Sequence, residues 1–199
     1  DAKRTTGSRT RIHVYFHKYR HNLHELEAMR AYATELGFEF CADWAFLMPV
    51  EKLVQYMDGT LSDSEREFAD RSLVPRVGDA IEAMLPERES SCELIDQLVL
   101  DFQGNVSLCC AVYDAKRNFI GRYLDRSWPE LQATKYAHST CTTCMRNAAH
   151  VLYTHFSKPE LVNRMRELVE RQLAEPPQVG QRGPIPLPVL DPAAFAASA

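Results

Sequence analysis

Apolar and polar residues alternate from Arg11 to Lys18. Ile12, Val14 and Phe16 are set against His13, Tyr15 and His17, and this period of two predicts a half-buried strand. The period then changes. Leu23, Leu26, Met29, Tyr32, Ala33 and Leu36 recur at helical spacing behind Asn22 and Glu25, a pair spaced to cap a first turn, and Gly37 ends the helix. Phe38 to Trp44 is short, apolar and rich in aromatics, which predicts a second strand. Strand, helix and strand in that order make one βαβ unit with parallel strands. A single crossover helix covers only one face of such a sheet. The unit is therefore expected to be the end of a larger α/β sheet that began before Asp1.

From Met48 to Leu85 the pattern is helical. Pro49 suits a first turn, Ser62 and Glu65 are spaced as a second capping box, and Pro75 and Pro86 punctuate the stretch. The period of two returns with Leu94, Leu98, Leu100 and Phe102, turns at Gln103-Gly104-Asn105, and runs on through Val106, Leu108, Ala111 and Tyr113 as a hairpin. Ser127, Pro129 and Glu130 open a helix reaching Tyr136, a further helical stretch runs from Met145 towards His155, and another from Pro159 to Leu173. The reading is an α/β (α+β) chain in five segments: a terminal βα segment at 1–47, a helical bridge at 48–87, a hairpin-and-helix domain at 88–157, a C-terminal helix at 158–174 and a tail at 175–199. The tail carries Pro176, Pro177, Pro184, Pro186, Pro188 and Pro192, which bars helices and central strands. It is expected to be mobile unless a neighbour holds it.

Composition narrows the function classes. With 45% hydrophobic and 25% charged residues over 199 positions, the chain can build a core, so neither a disordered nor a fibrous protein fits. No apolar run approaches the roughly 20 residues of a membrane span. The 23 Lys and Arg against 27 Asp and Glu leave a net charge of -4, which argues against a general nucleic-acid binder. The chain opens at Asp1 without an initiator Met or an apolar signal region, and is read as a piece of a longer polypeptide. Without a secretory signal, its six cysteines favour a reducing, cytoplasmic setting and metal or redox chemistry over disulfides.

Four of those cysteines form the most specific pattern in the chain. Cys92 is followed by eleven residues, Gly104, four residues and Cys109, and later by Cys141-Thr-Thr-Cys144. Thiolates are soft ligands that select Zn²⁺ or iron-sulfur clusters, and a two-residue gap lets both thiols of a pair turn to one centre. Gly104 sits where the hairpin must reverse and so brings Cys109 back beside Cys92. A cluster, a Cys₄ zinc site in a non-catalytic interaction module, and ordinary buried thiols all use these residue types.

At these residues the chain resembles the SPASM or twitch domain at the C-terminal end of radical S-adenosylmethionine enzymes. The Cys92, Gly104 and Cys109 spacing, the closing Cys141-x-x-Cys144, and the segments Asp101 to Val106, Ile120-Gly121 and Trp128 to Leu131 carry the likeness over about residues 88 to 150. Residues 11 to 47 are similar, more weakly, to the last βα units of the family's partial (β/α) barrel. The resemblance implies one auxiliary [4Fe-4S] cluster ligated by Cys92, Cys109, Cys141 and Cys144, in an enzyme that modifies peptides, proteins or small metabolites. Larger members carry a second auxiliary cluster, but His150 stands where its next cysteine would fall and no cysteine follows Cys144, which implies a single cluster. The family's Cys-x3-Cys-x2-Cys motif is absent from these 199 residues. S-adenosylmethionine would then be used only through an N-terminal barrel portion not in this sequence or through a partner chain, and the fragment is not expected to be active alone.

Other residues carry weaker signals. Cys110 follows Cys109 and, in a strand, points to the opposite face, so Cys109 is the ligand chosen. Cys41 among Phe40, Ala42 and Trp44 reads as a buried structural thiol. His13, Tyr15 and His17 share one strand face, with His21 and His24 following, and either line a substrate pocket or are solvated. His138 and His150 flank the Cys141 pair and either tune cluster sulfurs by hydrogen bonding or lie on a helix surface. The run Glu65, Arg66, Glu67, Asp70, Arg71 reads as a solvated helix face, and Met165 and Leu168 as core.

Overall fold

The opening alternation folds as strand β1 (His13–Lys18), which pairs in parallel with β2 (Glu39–Trp44), His13 lying opposite Glu39 and Lys18 opposite Trp44. Helix α1 (Leu26–Glu35) makes the crossover and buries Ala33. The computed structural model describes residues 5–7 and 9–175. The expected mobile tail, from Pro176 on, and the first four residues lie outside the described residues. Within them β1 and β2 form a two-stranded sheet, so the larger sheet expected from the sequence is not completed there. Asn22 does not cap α1. Its Oδ1 accepts from the Tyr19 N–H at 2.8 Å and its Nδ2 donates to the His17 carbonyl at 3.0 Å, so the amide holds the loop behind it and a 3₁₀ turn at Leu23–Glu25 leads into the helix.

The bridge consists of α2 (Val50–Met57), α3 (Asp63–Ser72) and α4 (Val77–Met84). The capping box expected at α3 is rearranged: the Ser62 hydroxyl donates to Glu65 Oε2 at 2.5 Å rather than capping a backbone amide, and Lys52 ion-pairs with the same carboxylate. Beyond the bridge, β3 (Val99–Leu100) and β4 (Asn105–Ser107) form a hairpin shorter than the expected run from Leu94 to Tyr113, with Leu100 opposite Val106, so Cys109 and Cys110 lie past it rather than on a strand. Gly104 supplies the turn at φ +77°, and Asp101 Oδ1 accepts from the N–H groups of Gln103 and Asn105 at 2.8 and 2.9 Å.

A short α5 (Ala115–Asn118) and a third strand, β5 (Phe119–Arg122), follow; β5 pairs antiparallel with β4. Neither element was predicted, because four residues are too few to present a usable period. At Gly121 (φ +144°) a Cβ would stand 2.9 Å from Arg126 Cδ, so the close approach of these segments needs the bare backbone.

Helices α6 (Trp128–Ala137), α7 (Ser139–Arg146), α8 (Ala149–Thr154) and α9 (Pro159–Ala174) complete the chain. The helical stretch expected from Met145 is thus two helices, broken at Ala148, whose φ of 56° is left-handed and which is fully buried. The elements expected as bridge, hairpin and C-terminal helix bury their apolar faces in one contiguous core that includes Leu53, Met84, Leu108, Leu131, Leu152 and Met165. The molecule is mixed α and β with small sheets. Among the described residues no helix is long and apolar enough to cross a membrane.

The βαβ unit is tied to this body by polar contacts. Arg20 donates from Nε to the Leu73 carbonyl at 2.7 Å and from Nη2 to the Val74 carbonyl at 3.0 Å. At the other end, His155 Nε2 lies 3.5 Å from Asp43 Oδ1. Burial by itself raises the Asp43 carboxyl, but the hydrogen bond and charge of His155, with help from the Trp44 N–H and Lys18, outweigh it and hold the group below its ordinary 3.8. A carboxylate depressed on folding contributes stability that is present above its unfolded value and lost as pH falls through the folded one. Asp43→Asn should therefore lower stability at neutral pH by about 1 kcal/mol or less, given the partial exposure, and the gap to the native chain should close below about pH 4 in thermal melts. A gap that persisted into acid would remove the charge from the account.

Candidate four-thiol centre

Each of the four cysteines is positioned by a different piece of local structure. Cys92 opens a turn in which the Ile95 N–H donates to the Cys92 carbonyl at 3.1 Å, and the buried Ile95 anchors that turn in the interior. It therefore lies ahead of the hairpin, not on its first strand. Cys109 lies just past β4, in a loop clamped by Asn118. The Asn118 side-chain oxygen accepts from the Cys109 N–H at 3.1 Å, its Nδ2 donates to the Val112 carbonyl at 2.7 Å, and its own carbonyl accepts from the Leu108 N–H at 2.6 Å. Cys141 and Cys144 belong to α7 itself rather than to a loop before a helix, and their three-residue spacing sets both on one helix face. His138 caps that helix, with Nδ1 accepting from the Thr140 N–H at 3.2 Å. One ring nitrogen of His138 is thus engaged in starting the helix that carries two of the thiols.

These positions bring Cys92, Cys109, Cys141 and Cys144 to the wall of one hollow of about 30 Å³, lined otherwise by aliphatic residues such as Leu94, Leu108 and Val112, with Tyr153 and His150. All four are free thiols and partly buried. Burial pushes the Cys92 and Cys141 thiols up. It pushes Cys144 up to about 12, with the charges of Cys92 and Cys141 adding to the effect. Cys109 is raised chiefly by its hydrogen bond with Cys110 and then by burial. The four thiols are thus shifted towards their protonated form. A soft cation would reverse the balance, because a coordinating thiol gives up its proton.

Among the described residues no three His, Cys, Asp or Glu side chains stand close enough to hold one metal ion. A tetrahedral zinc at about 2.3 Å from each sulfur needs thiols drawn to about 3.8 Å of one another, and that closure is not preformed.

Two further polar side chains are buried. His150 is 1% exposed; its Nε2 is 2.9 Å from the Ser90 carbonyl, while its Nδ1 is buried without a partner. Burial lowers its ring. Lys135, from α6, is 0% exposed and donates to the Gln97 carbonyl. Burial lowers the ammonium, while Cys109, Cys141 and Cys92 pull it back up. Neither Lys135 nor Asn118 stood out in the sequence, although Lys135 lies four residues after the buried Leu131 and so shares its inward face.

The remaining candidates lie elsewhere. Cys110 is exposed and borders a separate hollow of about 470 Å³ with Tyr113 and Phe119, while its thiol touches the quartet only through Cys109. Cys41 is exposed in β2, so the expectation of a buried structural thiol is corrected: its side of the short sheet has no layer over it. The strand histidines do not converge. His13 meets Glu39 at 3.1 Å, His21 stacks on Tyr19, and His24 faces Glu25 at 3.7 Å.

Exposure sets an order of reaction. Brief iodoacetamide treatment of the native, metal-free chain followed by mass spectrometry should modify Cys41 and Cys110 well before the other four, by a factor of about ten or more. Equal rates at all six would contradict the sheltered hollow.

No family model, curated protein or solved structure matches this chain, so the reading of the four-thiol hollow rests on the residues that form it.

Proposed function

We propose that Cys92, Cys109, Cys141 and Cys144 hold a [4Fe-4S] cluster, and that the chain is the auxiliary-cluster part of a cytoplasmic radical S-adenosylmethionine enzyme acting on peptides, proteins or small metabolites. The carrying observation is the convergence of four thiols, from three stretches distant in sequence, on one mostly apolar hollow. Chance placement of buried cysteines gives no reason for all four to share a wall while Cys41 and Cys110 stay outside it. Soft thiolates and a greasy lining suit a polynuclear centre.

When bound, such a cluster supplies a one-electron reservoir and a fixed anionic body beside a substrate. The chain's own residues have separable tasks. The four thiols bind, Asn118 holds the Cys109 loop, His138 orders α7, and Leu94, Leu108 and Val112 keep water from the sulfurs. The reading assigns S-adenosylmethionine binding to an N-terminal barrel portion or partner chain carrying Cys-x3-Cys-x2-Cys, since that motif is not among these 199 residues. The open β1–β2 sheet is the surface to which such strands would add.

Anaerobic reconstitution with iron and sulfide is the test. About four irons per chain and a visible charge-transfer band are expected; one colourless zinc per chain, with no iron uptake, would sink the cluster and leave a Cys₄ interaction module. Cys144→Ser should lose most of the iron. Because metal binding is coupled to local folding, it should also speed hydrogen exchange through residues 92 to 150 while α1 keeps its protection. Uniform acceleration along the chain would point to global destabilisation instead.

A further inference from the structure

We infer that His150 is a nitrogen ligand of the four-thiol centre, its Nδ1 lone pair binding metal directly beside the thiolates. The inference rests on the cluster reading and adds a donor that the cysteine pattern does not contain.

His150 shares the wall of the hollow with Cys92, Cys109, Cys141 and Cys144. It is 1% exposed, and its Nδ1 is enclosed without a hydrogen-bond partner among the described residues. A polar atom enclosed in that way has lost its water and gained nothing in return, an arrangement that calls for a use of the atom.

The other ring nitrogen fixes what Nδ1 is. Nε2 lies 2.9 Å from the Ser90 carbonyl, and a carbonyl only accepts, so the ring proton sits on Nε2. Burial keeps the ring from taking a second proton. Nδ1 is therefore a bare lone pair. It has no proton to give to a sulfur, and its burial excludes a place on a helix surface, so neither role that the sequence offered for His150 fits. What a lone pair can do is accept from a donor, and no donor reaches it, or bind a metal. A histidine that ligates through one nitrogen characteristically donates its other N–H to a carboxylate or a backbone carbonyl, which fixes the tautomer and the ring. His150 already makes that second contact, and imidazole suits iron as well as zinc.

The placement follows from the chain. The buried, left-handed Ala148 breaks the helical run after α7, so α8 takes a new course and sets His150 in the wall six residues beyond Cys144. Ser90 lies two residues before Cys92 and is not part of that wall, so the bonded edge of the ring ties α8 to the turn carrying the Cys92 thiol. Four thiolates already supply one outer ligand for each iron of a [4Fe-4S] body. The nitrogen is a fifth donor and shares one iron with a thiolate. Each thiol gives up its proton on binding, whereas the imidazole, bare at Nδ1, gives up none. Among the described residues no three such donors are drawn close enough to hold one ion, so loading also brings the ring and the sulfurs together.

The test labels the histidines with ¹⁵N, reconstitutes the chain anaerobically with iron and sulfide, reduces the frozen sample by irradiation and reads nitrogen couplings by pulsed EPR. A nitrogen bound to iron couples strongly and responds to the isotope, which a histidine that only braces the fold does not do. His150→Gln keeps an N–H for the Ser90 carbonyl but lacks the imidazole, and His138→Gln removes the histidine that caps α7. The coupling should be present in the native chain and in His138→Gln and absent from His150→Gln, which should also yield its iron to a chelator about tenfold faster or more. Where one variant fails to load, the coupling in the native chain together with the other variant decides. A loaded native chain without a histidine coupling, a coupling that survives in His150→Gln or disappears in His138→Gln, or failure of both variants to load overturns the ligand role. In each of those cases iron in the native chain leaves the cluster reading standing. Failure of the native chain itself to take up iron overturns the cluster reading and this inference with it.

Discussion

Everything around the hollow answers to one constraint: the ionisable groups in its wall, four thiols with His150 and Tyr153, are held where water has little access. In such a place each group alone moves towards its neutral form, as the raised Cys92, Cys141 and Cys144 thiols and the lowered His150 ring do. Opposite charges brought together in the same place stabilise each other instead. The thiols therefore favour their neutral form unless a soft cation joins them. Holding the groups within reach of one another has a structural cost, seen in the side chains diverted to backbone work around them. Asn118 gives its whole amide to the loop of Cys109, and His138 gives a ring nitrogen to the first turn of α7.

The sequence disclosed the thiols more readily than their supports. Cys141 and Cys144 are legible because a spacing of three means one helix face. Cys109 is legible because Gly104 turns the chain back towards the region of Cys92. Cys92 precedes the alternating run that begins at Leu94, and it lies in a turn ahead of the hairpin. Lys135 and Asn118 were missed for a common reason. Lys and Asn are ordinarily solvated, so their types carry no inward signal, and only the helical offset from Leu131 betrays Lys135. The caps misled in the opposite direction. Asn22 and Ser62 have the right spacing, but competing acceptors and donors, the Tyr19 N–H and the Glu65 carboxylate, took their side chains.

Fold-level features followed the same division. Long periodic stretches gave α1, α6 and α9, and strict alternation gave β1. β5, α5 and the break at Ala148 depend on packing that no local pattern encodes. Ala148 accepts a left-handed backbone because it is small and enclosed, where a larger side chain would collide with the helices meeting there.

The βαβ unit makes sense in light of how it is attached. α3 ends at Ser72, and the last carbonyls of a helix lack intrahelical donors. The Arg20 N–H donates to the Ser72 carbonyl at 2.9 Å, and its guanidinium serves Leu73 and Val74, so one residue of the unit serves the last carbonyl of the helix and the two that follow it. His155, just past the helix that begins beside the thiols, reaches Asp43 at the far end of β2. Moving the unit away would orphan the buried helix end on one side and separate a buried histidine from its carboxylate on the other. The two ties, with Tyr19, Leu23 and Trp44 packed against the core, hold the open strand edges in a set relation to the four-thiol hollow. A strand added at that edge would be positioned with respect to the thiols by hydrogen bonds that are already made.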